Sequence, residues 1–215
     1  NYKKEGMEAL QRSVLSNNWI TLIFVFSILL LFFLKLFTTT KLKGYVTSLF
    51  NKGFLEIEAE ENYWALSFFH TGFSLFTFLM LSVTTFFLVN QFKQSSVFLL
   101  EDYLLSTSYL FSYVVLRFLV VFALFSVFQF HSKLSFFMTS KRGYLYSISV
   151  GLLFLNVFYF YAFQYQYFLF VGFTVLFSLR FSLILINNKN LIIKELFYFI
   201  LYLCAFELAP LFVLF

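Results

Sequence analysis

The run FYFILYLCAFELAPLFVLF, residues 197–215, decides how the rest of the chain must be read. It is apolar over enough residues to cross a bilayer, since about 20 residues at a rise of about 1.5 Å span a hydrocarbon core roughly 30 Å thick. Near its middle stand an acid, Glu207, and the only proline of the chain, Pro210. A carboxylate in hydrocarbon is costly unless it is neutralised or paired. Glu207 is therefore a candidate functional residue, and its partner is to be sought among the other buried charges. Pro210 lacks an N–H, which frees the carbonyl of Phe206 and predicts a bend beside the acid.

The composition agrees with this reading. The 215 residues are 61% hydrophobic and 12% charged, with a mean hydropathy of +0.87. A soluble domain carries roughly 25% charged residues. Repeated apolar runs of about 20 residues place the chain in the all-α class, as a polytopic transmembrane helical bundle. The 38 Phe and 14 Tyr suit a lipid-facing surface. A single cysteine, Cys204, rules out an intrachain disulfide. The net charge of +5 fits basic cytoplasmic loops and not nucleic-acid binding, because no long Lys/Arg cluster occurs. Seven Gly and one Pro are few for a transporter built from broken helices. No cleavable signal peptide is visible, since the first apolar run continues for a full span. Asn rather than Met stands first, as in a piece of a longer chain.

Residues 1–18 are polar and read as a solvated lead-in to the bundle. Six spans are expected, near residues 19–37, 63–90, 108–130, 144–163, 167–186 and 195–215. One or two interfacial amphipathic helices accompany them. The first falls within 38–62, where Leu42, Tyr45, Val46, Leu49 and Phe50 share a helical face. A solvated acidic segment with Glu56, Glu58, Glu60 and Glu61 follows it. Residues 91–107 are too short and polar to span, and read as a second interfacial helix with Glu101 and Asp102 towards water. Residues 131–143 read as a basic loop. His70, near one end of the second span, reads as a hydrogen-bonded packing residue. The four acids lack the converging ligands and tight turn of a metal cage, so no metal and no cofactor is expected.

Loop charge orients the bundle. Lys35, Lys41, Lys43, Lys52, Lys133, Lys141, Arg142, Lys189 and Lys194 fall on one side, against Lys3, Lys4, Arg12 and Lys93 on the other. The positive-inside rule puts the first set in the cytoplasm, and six spans then leave both termini outside. Three ionisable residues lie deep: Arg117, Arg180 and Glu207. From span centres, Arg117 and Glu207 each lie about 3 Å to the outer side, and Arg180 about 4–5 Å to the cytoplasmic side. Matching depth predicts an Arg117–Glu207 pair, which either fixes helix docking or carries a proton or cation.

Catalytic templates are missing. HExxH, a paired aspartate-rich motif and GxSxG with a suitable histidine do not occur, and Ala65 stands where an EExxxR motif after Glu60–Glu61 needs arginine. An adjacent acid pair such as Glu101–Asp102 is not a dyad, because neighbours on a helix point about 100° apart.

The final run, with TTTKLKGYVTSLFNKGF at 38–54 and SYVVLRFLVVFALF at 112–125, resembles an uncharacterised, domain-of-unknown-function family of six-helix inner-membrane proteins of Bacteroidota. Its C-terminal pattern, LYLC followed by an acid and a proline, matches at Leu201–Cys204, Glu207 and Pro210, and its third-helix arginine at Arg117. The resemblance implies no activity. It does imply a lineage whose envelope holds machines such as the type 9 secretion and gliding apparatus. The leading expectation is a non-enzymatic subunit or assembly factor of an inner-membrane complex. Its partners would be membrane lipids and other integral membrane proteins. A small transporter or proton-conducting protein using Glu207, Arg117 and Arg180 is the alternative. A third reading, an enzyme acting on a lipid substrate, predicts a cavity shared by His70, Glu101 and Asp102.

Overall fold

The structure, a computed structural model, describes residues 18–49, 51–61, 67–92, 98–127, 131–162 and 165–187, with side chains for all of these except 52, 60, 61, 120–127, 131–137 and 166. Among the described residues there are seven helices and no strand: α1 (Asn18–Phe37), α2 (Thr39–Val46), α3 (Lys52–Glu61), α4 (Phe68–Phe92), α5 (Leu100–Val127), α6 (His131–Tyr161) and α7 (Gln166–Asn187). Four stretches are long and apolar enough to cross a membrane: Asn18–Phe37, Phe68–Phe92, Met138–Tyr161 and Tyr167–Asn187. Helices form there because lipid offers no partner to a backbone amide, so every peptide group must bond within its own segment. Hydroxyls inside the spans follow the same rule. Ser27 donates to the Ile23 carbonyl (2.8 Å), Thr77 to that of Phe73 (2.9 Å) and Thr84 to that of Met80 (2.7 Å).

Named contacts fix the direction of each helix. Trp19, at the start of α1, packs on Phe86 near the end of α4 (5.6 Å between ring centres). Leu34, near the end of α1, lies over Gly72 at the start of α4, where a Cβ would come within 2.9 Å of its methyl. The two helices are therefore antiparallel. Helix α5 also runs against α4, with Tyr103 on Phe86 (5.6 Å) and Phe111 on Phe78 (6.2 Å). Helix α6 is parallel to α4, because Thr77 meets Ser149 (3.2 Å) and Thr84 meets Asn156 (2.9 Å). Helix α7 returns along α6, with Leu155 against Gly172 and Asn187 bonded to Tyr144 (2.6 Å). Successive long helices thus alternate in direction. The short helices α2 and α3 cap the end at which α4 and α6 begin, where Leu55 and Tyr45 crowd the α-carbon of Gly143.

Helix α4 is the axis of the core. Phe69, Phe73, Phe76, Met80, Val83, Phe86 and Phe87 are each at most 3% exposed. By contrast, α1, α5 and α7 display large apolar side chains outward, among them Phe32, Phe33, Leu116, Phe118, Val171 and Leu179. A helix that is apolar all round belongs in hydrocarbon or against another membrane helix.

Three segments differ from the sequence-based expectation. Residues 100–107 do not form a separate interfacial helix; they are the first two turns of α5. Ser106, near the end of the expected interfacial helix, donates to the Asp102 carbonyl (2.8 Å), and Glu101 and Asp102 favour the positive end of the helix they open. Residues 131–143 do not form a basic loop; they open α6. The acidic segment is also helical, and only part of it is solvated: Leu55 and Glu58, three residues apart on α3, turn inward together while Glu56 and Ile57 stay exposed. The longer α5 moves Arg117 as well. It lies six residues past Phe111, about 9 Å further towards the capped end, and not on the far side of the bundle centre. Residues 195–215, the expected sixth span, lie outside the described residues.

Candidate functional site

The capped end gathers a cluster of charged side chains, Lys41, Glu58, Lys141, Arg142 and Arg180. Helix α2 contributes Lys41 and Tyr45, four residues apart and so on one face. The chain then turns at Thr47, which closes α2 by bonding the Lys43 carbonyl (2.8 Å), and α3 carries Glu58 back over the helix ends. Helix α4 supplies His70 from its first turn, and α6 supplies Lys141, Arg142, Tyr144 and Tyr146.

Glu58 is 3% exposed. Its Oε1 accepts from Lys41 Nζ at 3.0 Å, and His70 Nε2 stands 3.8 Å from the same oxygen. The Lys41 side chain is 36% exposed, so it links the buried carboxylate to water. His70 is 4% exposed and enclosed by rings: Tyr45 at 5.5 Å, Phe69 at 5.6 Å and Tyr146 at 6.2 Å. Tyr146 donates to the His70 carbonyl at 3.1 Å. Burial pushes the Tyr45 hydroxyl well above its ordinary range, and the neighbouring Glu58 and Tyr146 add to this while Arg142 opposes it. Tyr45 therefore stays neutral. The Tyr45 hydroxyl also hydrogen-bonds the Glu58 carboxylate, while among the described residues His70 Nδ1 is buried without a hydrogen-bond partner.

Two hydroxyls fasten the cap to α6. Ser48 donates to the Gly143 carbonyl (3.1 Å), and Ser147 donates to the Val46 carbonyl (2.6 Å). Gly143 lets the cap approach closely there, because a Cβ would overlap a Leu55 methyl and force it to shift. Beside them Arg180, 7% exposed, donates to the Lys141 carbonyl (3.5 Å) and stands 6.0 Å from the Phe177 ring.

A polar seam leads away from this nest between α4 and α6. His70, Thr77 and Thr84 recur every seven residues on α4, as do Ser149 and Asn156 on α6. Thr77 bonds Ser149 (3.2 Å), and Asn156 donates to Thr84 Oγ1 (2.9 Å) and to the Met80 carbonyl (3.3 Å). Ser82 pairs with Tyr103 of α5 (3.0 Å). Each of these groups is bonded across a helix interface, which in lipid selects one docking of two apolar helices over others.

Of the residues singled out from sequence, the structure brings His70 and Arg180 to the capped end. Arg117 lies within about 5 Å of the level of Arg180 along the bundle axis and is half-exposed. Glu207 and Pro210, and with them the expected Arg117–Glu207 pair, lie outside the described residues. Glu101 and Asp102 are not near His70. They open α5 at the opposite end, about 24 Å away along α4, so the described residues form no cavity shared by the three. Sequence reasoning missed Glu58, Lys41, Tyr45, Arg142 and Tyr146. The available signal was spacing: Lys41 with Tyr45, and Leu55 with Glu58, each place a polar group on the same helical face as a residue with apolar bulk.

Residues 20–215 match the family described as Domain of unknown function (DUF4271), and the chain belongs to that family. No curated protein and no solved structure matches it.

Proposed function

We propose that this DUF4271 member is a non-enzymatic integral subunit or assembly factor of a protein complex in the bacterial inner membrane. The observation that carries this reading is how the polar groups inside the bundle are used. Thr77, Ser82, Thr84, Ser149 and Asn156 are bonded across helix interfaces or back to their own helix, so their bonding capacity serves docking and not a substrate. Around this rigid centre, α5 leans mainly on α4 and turns Leu105, Tyr109, Leu116 and Phe118 outward, a surface suited to a partner's transmembrane helix as well as to lipid. The arrangement has about six spans, the last within 195–215, with the basic capped end in the cytoplasm and both termini periplasmic. Partners are membrane lipids and other envelope proteins, with no nucleic acid. Following the resemblance to proteins of Bacteroidota, the type 9 secretion and gliding apparatus is the candidate host.

A second reading, a proton- or ion-conducting protein, is favoured by one observation: the carboxylate of Glu58 buried against Lys41 and His70. Purification from native membranes in mild detergent, with mass spectrometry and sizing, separates the two. Stoichiometric recovery of other envelope proteins is the expected result. A monodisperse particle of this chain alone refutes the subunit reading.

A further inference from the structure

We infer that residues 195–215 dock in a cleft between α4 and α5, with Glu207 set against Arg117. The inference rests on the six-span reading above and adds where the last span packs. The cleft follows from exposure along the facing sides of the two helices. Away from the capped end they are closed, with Ser82 (0% exposed) bonded to Tyr103 (7% exposed) at 3.0 Å. Towards the capped end both sides open. On α4, Leu75 and Phe68 lie one and two heptads before Ser82 and are 47% and 72% exposed. On α5, Phe111 and Val114 lie two and three turns past Tyr103 and are 59% and 41% exposed, although Phe111 still touches Phe78. The helices therefore diverge, and an apolar wedge opens between them. Arg117 stands two heptads past Tyr103, on the same face of α5. It is half-exposed and has no ion pair among the described residues. The acids of its own helix, Glu101 and Asp102, lie about 22–24 Å back along the axis. A guanidinium beside an apolar wedge favours an occupant that brings a carboxylate.

Residues 188–215 have the length, the exit point and the charge for this place. Helix α7 ends at Asn187, bonded to Tyr144, at the capped end where the wedge is widest. Residues 1–17 lead into α1 at the opposite end, and each other stretch outside the described residues has five residues or fewer. Helix α7 also touches α4. The link 188–194 reaches about 23 Å, against about 8–10 Å between neighbouring helix axes. The segment then runs parallel to α4 and antiparallel to α5. From its entry Glu207 lies about 18 Å deep, and Arg180 about 10 Å from Asn187. Arg117 shares the level of Arg180 within about 5 Å, so the Glu207 α-carbon lies about 8 Å deeper. The side chains close that difference, because each leans towards its own helix N-terminus: Arg117 away from the capped end and Glu207 towards it. Leu105, Tyr109 and Leu116, on the opposite face of α5, stay open to a partner.

The only cysteine, Cys204, is three residues before Glu207 and so on the same face, about level with Val114. In native membranes, oxidation of Val114→Cys should give a disulfide to Cys204 within one chain. Leu116→Cys and Val175→Cys, on the outer faces of α5 and α7, should give none. Arg117→Glu should lower the Val114→Cys yield about tenfold by opposing two acids, and Glu207→Arg in the same chain should restore it. A disulfide from Val175→Cys in place of Val114→Cys, a disulfide-linked dimer of two chains, or a yield indifferent to Arg117→Glu overturns the proposal. The wild-type chain separates this proposal from the reading beneath it. Its Cys204 should resist a membrane-impermeant maleimide until the membrane is dissolved in detergent. Labelling in intact membranes refutes the sixth span itself, whereas protection with no disulfide at Val114→Cys refutes the docking alone.

Discussion

Replacing Asn156 with leucine removes the most fully bonded polar contact between α4 and α6. The Asn156 side chain is wholly buried, and its Nδ2 donates to Thr84 Oγ1 at 2.9 Å and to the Met80 carbonyl at 3.3 Å. Hydrogen bonds between membrane helices average about 0.6 kcal/mol and reach about 1.7. Losing two therefore costs about 1.2 kcal/mol. Leucine is close to asparagine in shape, so the cavity contribution is small. Thr84 is not orphaned, because it still donates to the Met80 carbonyl at 2.7 Å. Thr84→Val removes one of the two bonds and costs about 0.6 kcal/mol. In the double variant the Thr84–Asn156 bond is counted once and not twice, so the pair is non-additive by about 0.6 kcal/mol, in the favourable direction. Detergent-titrated unfolding in mixed micelles, followed by far-UV circular dichroism, measures all four corners of the cycle. Strict additivity, or an Asn156→Leu variant more stable than the wild type, refutes the claim that this bond docks α6 on α4.

Other outcomes are accessible to similar methods. Gly172→Ala places a Cβ against a Leu155 methyl, which should cost about 1–3 kcal/mol through overpacking, with Leu155→Ala in the same chain restoring much of it. Glu58→Ala leaves Lys41 and His70 without their carboxylate. The loss should fall below the roughly 3–5 kcal/mol of a fully buried pair, because Lys41 can turn to water. The raised Tyr45 hydroxyl means that the folded state holds its proton more tightly than the unfolded chain does. Its contribution to stability is therefore complete below the ordinary tyrosine value of about 10 and declines above it. Chemical unfolding between pH 9 and pH 11 should show that decline reduced in Tyr45→Phe.

The helical membrane class is legible in the sequence because the bilayer imposes one rule on every backbone amide, and long apolar runs satisfy it in one way. The ends of helices are less legible. Serine and threonine near residue 106 resemble a break, yet their hydroxyls can bond the preceding turn and let α5 continue. The same effect misplaced Arg117, since a residue's depth follows from where its helix begins. The nest around Glu58 was hidden for a different reason. Four acids in six residues look solvated as a group, and only the tertiary position of α3 turns one of them, Glu58, onto Lys41 and His70. The seam between α4 and α6 was visible as heptad spacing of His70, Thr77 and Thr84, but spacing alone does not say which helix answers it.

The central claim is that the outer face of this bundle receives another protein. A photo-crosslinking amino acid at Leu116 on α5, 61% exposed, tests it directly in native membranes, with Leu29 on α1, 48% exposed, as the comparison. The account predicts a discrete adduct with a different polypeptide at one or both positions. Lipid adducts alone at both would contradict it.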